Sequence, residues 1–106
     1  MTDKRVFPRK KRRVMVSFEV DGRTVKGFTL DLSHTGLLIS SYHLPPLGKP
    51  LCVTLEFSNG NRMQVTGSVV RARRLPGELA QGAGSAFGVA LDGYFESYAR
   101  MVTELS

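Results

Sequence analysis

The sequence predicts an all-β fold, six antiparallel strands in a barrel or sandwich, with a C-terminal α-helix and a flexible basic N-terminal arm. Three observations carry this. Apolar residues recur with period two through six short stretches, the spacing of strands with one buried face. Two tight-turn signals, Asp21-Gly22 and Ser58-Asn59-Gly60-Asn61, join neighbouring stretches into hairpins. After Gly93 the apolar period changes to that of a helix. Short, evenly spaced strands with tight turns indicate a barrel or sandwich.

The elements follow in order. Val14, Val16, Phe18 and Val20 alternate with polar residues and give a first strand. Asp21 and Gly22 tolerate the positive φ of a type I′ turn. A second strand runs from about Arg23 to Leu32, with Phe28, Leu30 and Leu32 expected on one face and Asp31 on the other. Gly36 to Ser40 is a short third strand. His43 to Pro50 holds three prolines and Gly48, so it reads as a loop. Leu51, Val53, Leu55 and Phe57 mark a fourth strand, and Met63, Val65 and Val69 a fifth reaching about Arg73. Residues 75–86 are rich in Gly and Ala and read as a mobile loop. Phe87, Val89 and Leu91 make the sixth strand. Phe95, Tyr98, Ala99, Val102 and Leu105 fall on one helical face between about Tyr94 and Leu105, so this helix is expected to cover an opening or edge of the barrel, or a partner's surface.

Charge divides the chain unevenly. Residues 1–13 carry Lys4, Arg5, Arg9, Lys10, Lys11, Arg12 and Arg13 against Asp3, which accounts for the whole net charge of +6. The other 93 residues carry eight basic and eight acidic side chains. The reading is therefore an arm, 1–13, and a neutral domain, 14–106, and any anion binding begins at the arm. At 42% hydrophobic residues the chain can bury a core. No apolar run approaches the roughly 20 residues of a membrane span, and charge without an apolar stretch behind it is not a secretory signal. Cys52 is the only cysteine, which excludes an internal disulfide and any multi-cysteine metal site. A reduced, cytoplasmic setting is expected, without membrane insertion.

Catalysis finds little support. Asp31, Ser33 and His34 have the residue types of a hydrolytic triad, but three residues within four positions of a turn rarely converge. No nucleophile elbow, HExxH or phosphate-cradling P-loop is present. His34 and His43 read as solvated surface histidines without a third ligand at metal spacing. Cys52 reads as a half-exposed strand residue. The expectation is a non-enzyme with no catalytic residue, metal or cofactor.

Binding is better supported. Arg5 and Arg9 stand four apart in RVFPR, and arginine's planar fork grips phosphate bidentately or meets a guanine edge. Pro8 favours extended backbone at Phe7, which presents both arginines from one strip. The competing reading is a solvated basic tail. DLSHTG, residues 31–36, places a carboxylate and a hydroxyl two residues apart. Asp31 can accept from guanine N1–H and N2–H₂, and Gly36 suits positive φ or close ligand approach. The competing reading is a turn that satisfies only its own backbone.

Taken together, RxxxR, a hairpin, and DxSxxG opening a third strand resemble the PilZ domain family. GLLIS after Gly36, GSVVR at 67–71, FGVAL at 87–91 and the final helix extend the resemblance from about Arg5 to Leu105. The resemblance implies a six-stranded antiparallel β-barrel that acts as a bacterial receptor domain for the second messenger cyclic-di-GMP. Arg5 and Arg9 would contact phosphate and guanine, Asp31 and Ser33 the second guanine edge, and Gly36 would leave room for the ligand. Arg9 and Arg13 also fit RxxxR; Arg5 and Arg9 are preferred because Phe7-Pro8-Arg9 resembles the family's usual ending. Lys4, before the motif, occupies a position where a long basic residue goes with binding of a stacked ligand pair, which leaves one or two ligands open.

These expectations describe a switch in which ligand neutralises a free, self-repelling arm, folds it over the DxSxxG turn and changes the surface that an effector protein reads. Two alternatives stand beside it. One is a small barrel whose arm binds nucleic-acid phosphates; Phe7 is the arm's only aromatic residue, so a stacking platform is not evident. The other is a PilZ-like adaptor that binds protein and no nucleotide. The effector, the oligomeric state and any role for Lys10 to Arg13 are not fixed by the sequence.

Overall fold

A computed structural model describes residues 9–74 and 85–105. Lys4, Arg5 and nearly all of the expected 75–86 loop lie outside the described residues. The strands are β1 (Met15–Val20), β2 (Arg23–Ser33), β3 (Gly36–Ser41), β4 (Pro50–Glu56), β5 (Arg62–Arg74) and β6 (Ser85–Leu91), followed by helix α1 (Glu96–Glu104). They form a closed barrel in the order β1-β2-β3-β6-β5-β4, with β4 returning to β1 and every pair antiparallel. Closure removes the exposed edges that an open sheet would present.

Local chemistry accounts for the hairpins. Val20 pairs with Arg23 across Asp21 (φ 53°) and Gly22 (φ 78°), the two positive values that a type I′ turn requires. At the second turn Gly60 has φ 89°, and Asn59 accepts the Asn61 backbone N–H on its side chain. Inward residues from all six strands form one core, with Val16, Phe18, Leu32, Ile39, Val53, Leu55, Val65, Val69, Phe87 and Val89 at most 2% exposed. Phe18 meets Phe87 edge-on at 5.2 Å, a favoured aromatic geometry.

The expected face of β2 is corrected by a bulge. Thr29 pairs with Ile39 but Asp31 with Leu38, so Leu30 is an extra residue and the alternation slips by one. Val25 and Thr29 point inward before the bulge and Leu32 after it. Phe28 is half-buried on the outside and Leu30 is exposed, so neither shares a face with Leu32. A second bulge in β5 leaves Val70 unpaired and exposed between Val69 and Arg71.

The helix buries Tyr98, Ala99 and Val102 against its own barrel, beside β2 and β5. Its last turn holds no basic side chain, and Lys10 supplies that cation by donating from Nζ to the Leu105 carbonyl at 3.1 Å. Residues 9–14 run alongside β2. Lys10 and Leu32 exchange both backbone hydrogen bonds, at 2.7 and 2.8 Å. The buried Thr29 hydroxyl donates to the Arg12 carbonyl and accepts from the Val14 N–H. Arg13 stacks 3.8 Å above the Phe28 ring. The sequence division at residue 13 thus falls inside a segment that pairs with the barrel from Lys10 onward.

Candidate functional site

The site is built where the arm meets the β2–β3 turn. The antiparallel Lys10–Leu32 bridge carries Arg9 to the turn end of β2. There Arg9 Nη1 donates to Asp31 Oδ1 at 2.8 Å, with side chains 36% and 18% exposed. Two motifs 22 residues apart in sequence therefore share one rim. The β2 bulge turns Asp31 outward while Leu32 fills the core beneath it.

Ser33 is buried, and its hydroxyl lies 3.4 Å from both the Thr35 hydroxyl and the Thr35 backbone N–H, a loose turn contact. Gly36 is explained by packing. Its φ is not positive, and a Cβ there would stand 2.5 Å from the Val89 carbonyl oxygen, so a side chain would push β3 off β6. The positive-φ reading of Gly36 is corrected accordingly. His34 is also corrected: it is half-buried, and its Nε2 pairs with Thr103 Oγ1 of α1 at 2.8 Å, tying turn to helix. Asp31, Ser33 and His34 thus engage Arg9, Thr35 and Thr103 respectively. His43 and Cys52 are exposed. Among the described residues, no three His, Cys, Asp or Glu side chains cluster at metal-binding distance.

Beneath the turn stands Tyr98, whose hydroxyl donates to the Gly36 carbonyl at 3.0 Å. Burial pushes its phenol above the ordinary value; hydrogen bonding from the Ser33 backbone and the Arg9 charge partly oppose this, and Asp31 reinforces it. The helix and the turn are therefore mechanically joined, a link the helical stripe placed in the core but did not direct at the site.

Arg9, Asp31, Ser33, Gly36, Arg71 and Gly88 are among the residues lining a cleft of about 220 Å³. This is below the roughly 300–1,000 Å³ usual for small-molecule sites. Larger open grooves of about 470 and 560 Å³ lie elsewhere, around Cys52 and around Met101, away from the Arg9–Asp31 pair. Chemistry rather than size singles out the smaller cleft: an acceptor-only carboxylate, a cationic fork and a backbone turn converge there. Sequence reasoning missed Arg71, because only the β5 bulge brings it to this rim.

The PilZ domain family model matches residues 3–97. The fold resembles that of the Bacillus subtilis inhibitor of motility MotI/DgrA, with a TM-score of 0.75 and 10% identity, over 95% of this chain and 48% of that one. It also resembles the PilZ domain of Escherichia coli YcgR, whose structure contains cyclic-di-GMP, with a TM-score of 0.72 and 11% identity, over 95% of this chain and 87% of that one. This chain thus spans about half the length of the motility inhibitor. No curated protein matches the sequence.

Proposed function

The chain belongs to the PilZ domain family, and from that premise we propose that it is a bacterial, cytoplasmic receptor or adaptor for cyclic-di-GMP. PilZ domains are receptor and adaptor domains rather than enzymes. The observation that carries the reading is the 2.8 Å contact between Arg9 of the arm and Asp31 of the turn. Each motif alone has an ordinary structural explanation; their meeting on one rim has the composition a dianionic guanine dinucleotide needs.

The residues divide the work by charge. Asp31 accepts from a guanine N1–H and N2–H₂, donors that match its two oxygens. Ser33 adds a hydroxyl beside it, reorienting away from its loose 3.4 Å contacts with Thr35. Arg9, released from Asp31 by the ligand, meets phosphate or guanine, and Arg5 closes from the arm. Lys4 adds charge where a second stacked ligand would lie. Gly36 keeps the rim low, in addition to its packing role against Val89.

The readout follows from the same contacts. Tyr98, His34 and Lys10 connect α1 to the turn and to the segment behind Arg9. Ligand that rearranges this rim alters the surface formed by arm, turn and helix, which an effector protein reads. Calorimetry with cyclic-di-GMP tests the proposal on wild type, Arg5→Ala, Arg9→Ala and Asp31→Ala. Each lost charge-assisted contact costs roughly 1.5–3 kcal/mol, or about 10- to 150-fold in affinity. Unchanged affinity in all three variants overturns it.

A further inference from the structure

We propose that Arg71 is a further ligand contact of this site, positioned by Gly88, and that it meets a phosphate of the bound dinucleotide; the inference rests on the cyclic-di-GMP reading above. Three observations lead to it. The β5 bulge at Val70 shifts the pairing so that Arg71 stands directly opposite Gly88. Bulges of this kind re-aim side chains beside sites. A Cβ at Gly88 would lie 3.1, 3.7 and 3.9 Å from Arg71 Cγ, Cδ and Nε, so the arginine stem lies flat across the glycine. A Cβ at residue 88 would require the stem to give by a few tenths of an ångström.

Charge supplies the third observation. Within the cleft the Arg9 guanidinium faces the Asp31 carboxylate. Arg71 lines the same cleft and forms no ion pair among the described residues. It is therefore the uncompensated charge of the described rim, an exposed residue whose stem lies over Gly88. A dianion entering the cleft gains most from this cation, and the laid-down stem reduces the conformational entropy lost on contact. Arginine's fork suits phosphate, with lysine a weaker substitute as a point charge.

The test is calorimetry with cyclic-di-GMP on the full chain, with thermal melts confirming that each variant folds. Arg71→Gln, which keeps length but not charge, is expected to weaken binding about 10- to 100-fold. Arg71→Lys loses less, because the charge stays. Gly88→Ala shifts the arginine stem by a few tenths of an ångström, and whatever change in affinity it causes is absent in an Arg71→Gln background, because the two act through one contact. Wild-type affinity in Arg71→Gln overturns the inference alone. So do equal losses with Gln and Lys, or a Gly88→Ala loss that persists without Arg71. Absence of binding by wild type overturns the functional reading and this inference with it.

Discussion

Replacing Tyr98 with phenylalanine isolates the contact that joins the helix to the site turn. Tyr98 is 1% exposed, and its hydroxyl donates to the Gly36 carbonyl at 3.0 Å. Tyr98→Phe deletes a buried hydrogen bond and leaves that acceptor poorly satisfied, which costs about 1–3 kcal/mol near neutral pH. For a domain of this size, each kcal/mol lowers the melting temperature by roughly 4–8 °C. The wild-type advantage also depends on pH, with a definite sign. Burial keeps the phenol protonated in the folded chain above the ordinary tyrosine value of 10.0. Below about pH 10 folded and unfolded states both hold the proton, and the contribution is complete. Above it only the folded state does, so wild type loses about 1.4 kcal/mol per pH unit that the variant does not lose. Tyr42 and Tyr94 are exposed and present in both proteins, so they cancel in the difference. Urea unfolding of the pair from about pH 8 to 11.5 reads this difference directly. The gap should shrink above pH 10 and approach zero or invert. A gap that is constant across the range refutes a buried, proton-holding Tyr98 beneath the turn.

Thr29→Val keeps side-chain shape but removes the hydroxyl that ties Val14 and Arg12 to β2; it should cost about 1–3 kcal/mol and speed amide exchange at Val14. Phe87→Ala opens a cavity against Phe18 at a fully buried position, and a denaturant titration should show a loss of about 3–5 kcal/mol. Asp31→Asn separates stability from binding. The partly exposed Arg9–Asp31 pair contributes about 0.2–1 kcal/mol to folding, yet cyclic-di-GMP affinity should fall roughly 10- to 150-fold. A large drop in melting temperature with affinity intact would assign the pair to the fold instead.

Local features were legible in the sequence because they depend on neighbours along the chain. Asp21-Gly22 announced its turn through positive φ, and both dihedrals are present. Period two marked six strands, and the stripe through Tyr98, Ala99 and Val102 marked the helix face that is buried. The β2 face was misread because a bulge is set by the partner strand: Leu30 looks like the next inward residue until Leu38 skips it. Contacts between distant segments were equally invisible. Lys10 reaches Leu105 across 95 positions and His34 reaches Thr103 across 69, so a lysine from a charge run became a helix cap and a supposed surface histidine became a tie. Lys10 to Arg13, whose role the sequence left open, contribute backbone pairing, a cap and a stacked guanidinium. For the site, residue types and order were legible through RxxxR and DxSxxG. The meeting of Arg9 with Asp31 needed the Lys10–Leu32 bridge, and Arg71 needed the second bulge.

In the proposed function the arginine arm and the Asp31–Gly36 turn form one site that closes on cyclic-di-GMP. Trypsin cleavage after Arg5 and Arg9, followed by mass spectrometry during a ligand titration, tests it most directly. Cyclic-di-GMP should slow both cuts saturably, and GMP at the same concentration should slow neither. Cleavage rates that stay constant across the titration would contradict it.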